Sequence, residues 1–290
     1  MIPRGSLPLR KPPEDLWARI QAKVDRPARP VWWSWGIPAA LAASLIGGWF
    51  YVRASRPAWN VVHIVAGAET RGRVTEGEWI RTGANGSAHI EVGSIGTVDV
   101  EPNSQVRIVV AKDTEHRLQL GQGAIDATIN APPRLFFVGT AATTAIDLGC
   151  AYRMESDAAG NGALHVRVGW VALDKGALEV MVPAGASCRI REKRGAGTPY
   201  FDDAPEVLRD ALAEFDNSGR ELDAVLAAAR EKDTMTLWHL LQQVDGPTRK
   251  RVYERMIALI PLPNGITQEK VLALDVETLR KWREELAWKW

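Results

Sequence analysis

Residues 31–52 contain no Asp, Glu, Lys or Arg. A helix rises about 1.5 Å per residue, so this run is long enough to cross a hydrocarbon core of about 30 Å. Trp32, Trp33 and Trp35 mark one end, and Trp49 and Tyr51 the other. Amphipathic rings settle at the two bilayer interfaces, so a single transmembrane helix is predicted over 31–52. A cleaved signal peptide fits less well, because the preceding segment is long, holds Glu14, Asp15 and Asp25, and no small-x-small site follows. Arg4, Arg10, Lys11, Arg19, Lys23, Arg26 and Arg29 precede the run, whereas only Arg53 and Arg56 follow closely. The positive-inside bias therefore places residues 1–30 in the cytoplasm and everything after residue 52 across the membrane.

Within the span, Ala39, Ala43 and Gly47 recur at four-residue spacing. They form either a small-residue face on which two helices approach as a homodimer, or ordinary transmembrane composition. Ahead of the span, residues 12–24 read as a short amphipathic helix. Pro12 and Pro13 suit its start, and Leu16, Ile20 and Val24 repeat at helical spacing beside Trp17. That apolar face suits the anionic inner leaflet or a partner's groove equally, and a passive anchor is the bland alternative.

Charge excludes one class of function. With 36 Lys+Arg against 35 Asp+Glu, the formal net charge is +1, and no local basic cluster offers a nucleic-acid footprint. Two Cys and five His cannot build a thiolate-rich metal centre, and His63, His89, His116 and His165 lack ligand spacing, so neither metal nor cofactor is expected.

From residue 60 to about 190 the pattern changes to short alternating runs bounded by glycines. Ala88-His89-Ile90-Glu91-Val92, Thr97-Val98-Asp99-Val100 and Leu164-His165-Val166-Arg167-Val168 are examples. This is the signature of antiparallel strands with tight turns. His89, Glu91, Asp99, Glu101, His116 and Asp126 alternate with apolar partners, as expected of a solvated sheet face rather than an active site. Residues 193–204 read as a linker. Six helices are expected beyond it, at 205–215, 219–230, 235–244, 248–260, 267–274 and 276–288, packed as hairpins. Trp238, Trp282, Trp288 and Trp290 are either core of this module or an exposed binding cluster.

The order of fragments across the middle region is more specific than any one of them. Gly77-Glu78-Trp79-Ile80-Arg81-Thr82-Gly83 is followed by Asn85-Gly86-Ser87-Ala88-His89-Ile90-Glu91-Val92 and Val106-Arg107-Ile108. Then come Leu118-Gln119-Leu120-Gly121-Gln122-Gly123-Ala124-Ile125, Phe137-Val138-Gly139-Thr140, Asp147-Leu148-Gly149-Cys150-Ala151-Tyr152 and Val166-Arg167-Val168-Gly169-Trp170-Val171. This series resembles the FecR family of membrane-anchored bacterial regulators over less than half of the chain. The resemblance implies a periplasmic β domain built as a twisted, solenoid-like stack of strands. It also implies location in the inner membrane and output through an extracytoplasmic-function sigma factor. Two departures stand out: the segment before the span is short for the family's cytoplasmic anti-sigma domain, and the family's C-terminal domain is not recognisable.

The expected fold class is thus one transmembrane helix, an all-β domain over 58–192 and an all-α module over 205–290. Cys150 stands where the family often has Thr, and Cys188 lies on a later strand. Facing an oxidising periplasm, they are either a disulfide or two buried thiols. Leu16, Trp17, Ile20 and Val24 are the candidate partner-binding residues. Two readings of function follow: a regulator that binds a cytoplasmic sigma factor, or an envelope scaffold whose β or helical part binds another envelope protein. A hydrolase built on Glu76, Glu78, Glu91, Asp99 or Asp126 is disfavoured, because no spacing singles out an acid–base pair. No catalytic residue is assigned.

Overall fold

The computed structural model describes residues 58–290 except 177, together with Asp15, Ala18, Arg19 and Gln21. The chain divides into two compact units, Met1–Arg56 and Pro57–Trp290. In the first unit Ala18, Arg19 and Gln21 are helical, and the Arg19 amide donates to the Asp15 carbonyl at 3.0 Å. Their side chains form an i,i+4 ion pair at 3.4 Å. The expected span 31–52 and its Ala39, Ala43 and Gly47 face lie outside the described residues, as do Leu16, Trp17, Ile20 and Val24. Among the described residues no helix is long and apolar enough to cross a membrane.

The second unit begins with strands that alternate because every second side chain must face an apolar core. One sheet contains, in spatial order, β2 (Ala68–Thr75), β1 (Ala58–Val65), β4 (Gly86–Val92), β5 (Gly96–Val100), the second half of β7 (Glu115–Ile129), β10 (Ala151–Ser156), β11 (Gly162–Val168) and β14 (Ala186–Arg191). The other contains β3 (Trp79–Arg81), β6 (Gln105–Lys112), the first half of β7, β8 (Phe136–Gly139), β9 (Thr144–Asp147), β12 (Trp170–Lys175) and β13 (Leu178–Pro183). Ile90, Val98 and Ile125 from the first sheet share one core with Ile108, Leu118 and Val138 from the second.

The long strand β7 belongs to both sheets. Its residues 115–122 pair with β6, and 123–128 pair with β10. The change of sheet falls at Gly123, where φ is +93° and a Cβ would lie 2.1 Å from the Ser104 hydroxyl. Among the described residues all strand pairings are antiparallel except β7 with β8. The antiparallel β architecture expected from the sequence is therefore present. β5 and β10 flank one half of β7, and β6 and β8 flank the other.

The segment 193–204, read from its Gly, Pro and charge content as a linker, instead adds β15 (Gly195–Ala196) and β16 (Tyr200–Phe201) to the edge of β14. Thr198 and Phe201 are buried there. Beyond it come α1 (Glu206–Ser218), α2 (Leu222–Ala228), α3 (Thr234–Gln243), α4 (Gly246–Leu259), α5 (Gln268–Leu272), α6 (Val276–Leu286) and a closing 3₁₀ turn, Ala287–Lys289. Leu208, Leu212, Val225, Leu237, Leu241, Met256 and Trp282 form their core. Gly219 ends α1 in the left-handed region at φ +76°, which is why α2 starts three residues later than its periodicity suggests.

Cys150 and Cys188 are both buried, and no disulfide joins them. Cys188 on β14 is level with Leu164 on β11, which is level with Met154 on β10. Cys150 lies four residues before Met154. Two strand spacings of about 4.8 Å and four residues of about 3.3 Å put the Cα atoms on the order of 15 Å apart. A disulfide needs them within about 7 Å.

Candidate functional site

Outward-facing side chains on the larger sheet line up because antiparallel register places them side by side. One cross-strand row runs His89, Asp99, Asp126, Arg153, His165, Ser187 and Tyr200, over seven neighbouring strands. His89 Nδ1 lies 2.6 Å from Asp99 Oδ1. Arg153 pairs with Glu101 and reaches Asp126 at 3.6 Å, and Asp126 also pairs with Arg167. At the far end the Ser187 hydroxyl donates to Asp202 Oδ1 at 2.5 Å, and His165 Nδ1 sits 3.1 Å from Asp202 Oδ2. Two acids and then two bases stand side by side in this row, and its charges are paired partly within it and partly with Glu101, Arg167 and Asp202 beside it. Exposed pairs of this kind contribute about 0–1 kcal/mol each, and their effect is mainly to order this polar face.

The sequence placed His116 on this solvated face, but the structure buries it. Its ring packs 5.7 Å from Trp59, and burial lowers its pKa against a smaller opposing effect from Asp113. The carboxylates weighed as hydrolytic groups have structural partners. Glu76 Oε1 accepts the Ala111 amide at 2.8 Å, and Glu78 Oε2 accepts the Thr75 amide at 2.9 Å. Near Cys150, the Asp147 carboxylate accepts from the thiol at 2.6 Å and from the Gly149 amide at 2.7 Å. Burial raises the pKa of Asp147, and burial followed by the Asp147 hydrogen bond raises that of the Cys150 thiol. A thiol held protonated beside a carboxylate is a poor nucleophile. Among the described residues no group of three or more His, Cys, Asp or Glu is placed to hold a metal ion.

The helices are fastened to the strands by His239, Asp216, Arg230 and Lys232, which sequence reasoning missed, and by Trp290, which it weighed between core and surface. His239 on α3 donates from Nδ1 to the Met235 carbonyl at 2.9 Å and accepts the Met181 amide of β13 on Nε2 at 3.1 Å. These two bonds define the neutral Nδ1–H tautomer. Asp216 at the end of α1 accepts both the amide and the hydroxyl of Thr198, at 2.8 and 2.7 Å. Arg230 joins Asp233 to the Asp203 carbonyl, and Lys232 lies 4.2 Å over the Phe201 ring. The Trp290 ring lies 6.4 Å from Trp170 on β12 and 6.2 Å from Trp238 on α3, and its Nε1 donates to Thr234 at 3.2 Å. Of the four C-terminal tryptophans weighed between core and surface, Trp238 and Trp282 are buried, Trp290 fills this seam, and Trp288 is 89% exposed. Only the Arg230-x-x-Asp233 and Met235-x-x-x-His239 spacings are local, and the partners that join helix to strand are distant in sequence.

No family model matches the chain, and no curated protein matches it. The chain is similar to two crystal structures, at 1.65 Å and 2.50 Å resolution, of a candidate anti-sigma factor from Parabacteroides distasonis ATCC 8503. The TM-score is 0.39 for each, at 14% and 13% identity over 47% and 51% of this chain. The chain covers 65% of the first and 74% of the second.

Proposed function

We propose that this chain is a single-pass FecR-like regulator of the bacterial inner membrane, with residues 58–290 as a periplasmic sensing body and residues 1–30 as a cytoplasmic arm. The observation that carries this reading is the placement of the family-like fragments. Trp79-Ile80-Arg81 is β3, Gly86-Ser87-Ala88-His89-Ile90-Glu91-Val92 is β4, and Val106-Arg107-Ile108 lies in β6. Leu118 to Ile125 spans the crossing point of β7, and Phe137-Val138-Gly139 ends β8. The motif series thus follows successive parts of one two-sheet body. The protein acts by binding rather than by catalysis. Its output is control of an extracytoplasmic-function sigma factor, contacted through Leu16, Trp17, Ile20 and Val24. A periplasmic ligand drives that output only as far as it prefers one arrangement of the body or of a helix dimer over another.

Affinity purification of the full chain from solubilised membranes, compared with a version lacking residues 1–29, tests this reading. A sigma factor recovered only with the intact arm is the expected result. Recovery of envelope proteins alone, unchanged by the deletion, overturns it and leaves an anchored scaffold.

A further inference from the structure

Where β14 reaches β15, its outward side chains meet the ends of α1 and α3 around a cleft of about 360 Å³. Arg189, Arg191 and Arg194 line one side, and Phe215 and Val244 contribute apolar surface. Among the described residues the only carboxylate lining it is Asp216, and both of its oxygens are already occupied by Thr198. The three guanidinium groups are far from saturated. Arg189 donates once, to the Arg209 carbonyl, while stacking 5.0 Å over Tyr200. Arg194 donates once, to the Asp216 carbonyl, and the Arg191 guanidinium has no partner among the described residues.

Helix C-termini carry partial negative charge, so two of them at this cleft oppose an anion. Here that charge is already engaged. Arg249 donates to the Leu241 and Val244 carbonyls at the end of α3, and Arg194 takes the Asp216 carbonyl at the end of α1. Three full positive charges face one carboxylate, leaving unfilled N–H donors in the planar fork that suits oxyanions.

We propose that this cleft binds a small organic oxyanion, with a phosphate or carboxylate held by Arg189, Arg191 and Arg194 and an apolar group packed against Phe215 and Val244. The volume falls within the usual range of small-ligand pockets, about 300–1,000 Å³. Because β14, α1 and α3 all border the cleft, a bound anion tightens the contact between sheet and helices. The inference goes beyond the regulatory reading and stands whether or not the arm holds a sigma factor.

Calorimetric titration of the full chain in detergent and Tris chloride, with phenyl phosphate, benzoate and inorganic phosphate as separate probes, tests it. Saturable binding of phenyl phosphate or benzoate is expected, weakened about tenfold or more in Arg191→Gln. That guanidinium has no partner among the described residues, so the variant keeps the native fold, which an unchanged unfolding midpoint verifies. The phosphate and carboxylate arms identify which head group is preferred. Lys232→Gln, a cation away from the cleft, leaves the affinity unchanged. Absence of saturable binding by both aromatic probes overturns the proposal, as does equal weakening in both variants. Inorganic phosphate binding as tightly as phenyl phosphate overturns the apolar half of the site.

Discussion

His116 is a titratable group whose surroundings oppose its charge. Its ring lies against Trp59, its Nδ1 atom has no hydrogen-bond partner among the described residues, and burial lowers its pKa. The folded protein therefore binds this proton more weakly than the unfolded chain does. The contribution is neutral above the ordinary pKa of about 6.5 and becomes destabilising as pH falls through and below it. His116→Leu removes the titration and keeps an apolar side chain of similar size. Thermal unfolding at pH 7.5 and pH 5.0 checks the consequence, namely a smaller loss of melting temperature on acidification in the variant than in the native chain. Equal losses in the two proteins would remove His116 from the account of acid sensitivity. The sequence reading grouped this residue with the polar set by its chemical type, although it is in phase with Leu118 and Leu120, which are buried on the same face of β7. Nothing local to His116 announces that Trp59, on β1, closes over it.

The strand β7 shows where sequence legibility ends at the scale of elements. Its alternation, its glycines and its position in the motif series were readable, as were all six C-terminal helices to within a few residues. Asp275, whose carboxylate accepts the Thr278 amide at 2.9 Å, caps α6 where its pattern begins. Partner choice was not readable, because pairing with β5, β6, β8 and β10 depends on register between segments far apart in the chain. Gly123 is where that register becomes a local requirement. A side chain there is strained by φ +93° and meets buried Ser104, whose hydroxyl both accepts the Ala124 amide and donates to the Ala124 carbonyl. Gly123→Ala is expected to cost more than about 2 kcal/mol, by combining backbone strain with overpacking. Gly219 has a similar φ of +76° but faces open space, so Gly219→Ala costs only about 1 kcal/mol. Urea unfolding of both variants measures the contrast, and equal costs would mean that the approach to Ser104 relaxes freely.

For the region Pro57–Trp290 as a whole, the consequence of the seam is that strands and helices form one compact unit rather than two bodies on a linker. Composition pointed the other way, because Gly and Pro in 193–204 look like a connector until β15 and β16 are seen to pair with β14. A helical module docked through the Met181–His239 bond, the Thr198–Asp216 pair and the Trp170–Trp290–Trp238 contacts shares its unfolding with the sandwich. Near-ultraviolet and far-ultraviolet circular dichroism of this region should therefore report a single transition in urea. Trp290→Ala loses two ring contacts and the hydrogen bond to Thr234, at an expected cost of about 1–3 kcal/mol for a partly buried tryptophan. Trp288, two residues earlier and 89% exposed, offers the matched control, with Trp288→Ala within about 0.5 kcal/mol of the native chain. If Trp288→Ala costs as much as Trp290→Ala, the C-terminal turn packs differently and the seam is not what joins the helices to the sheet. If the two optical probes separate in the native chain, the joint is too weak for the strands and helices to respond to a ligand as one body.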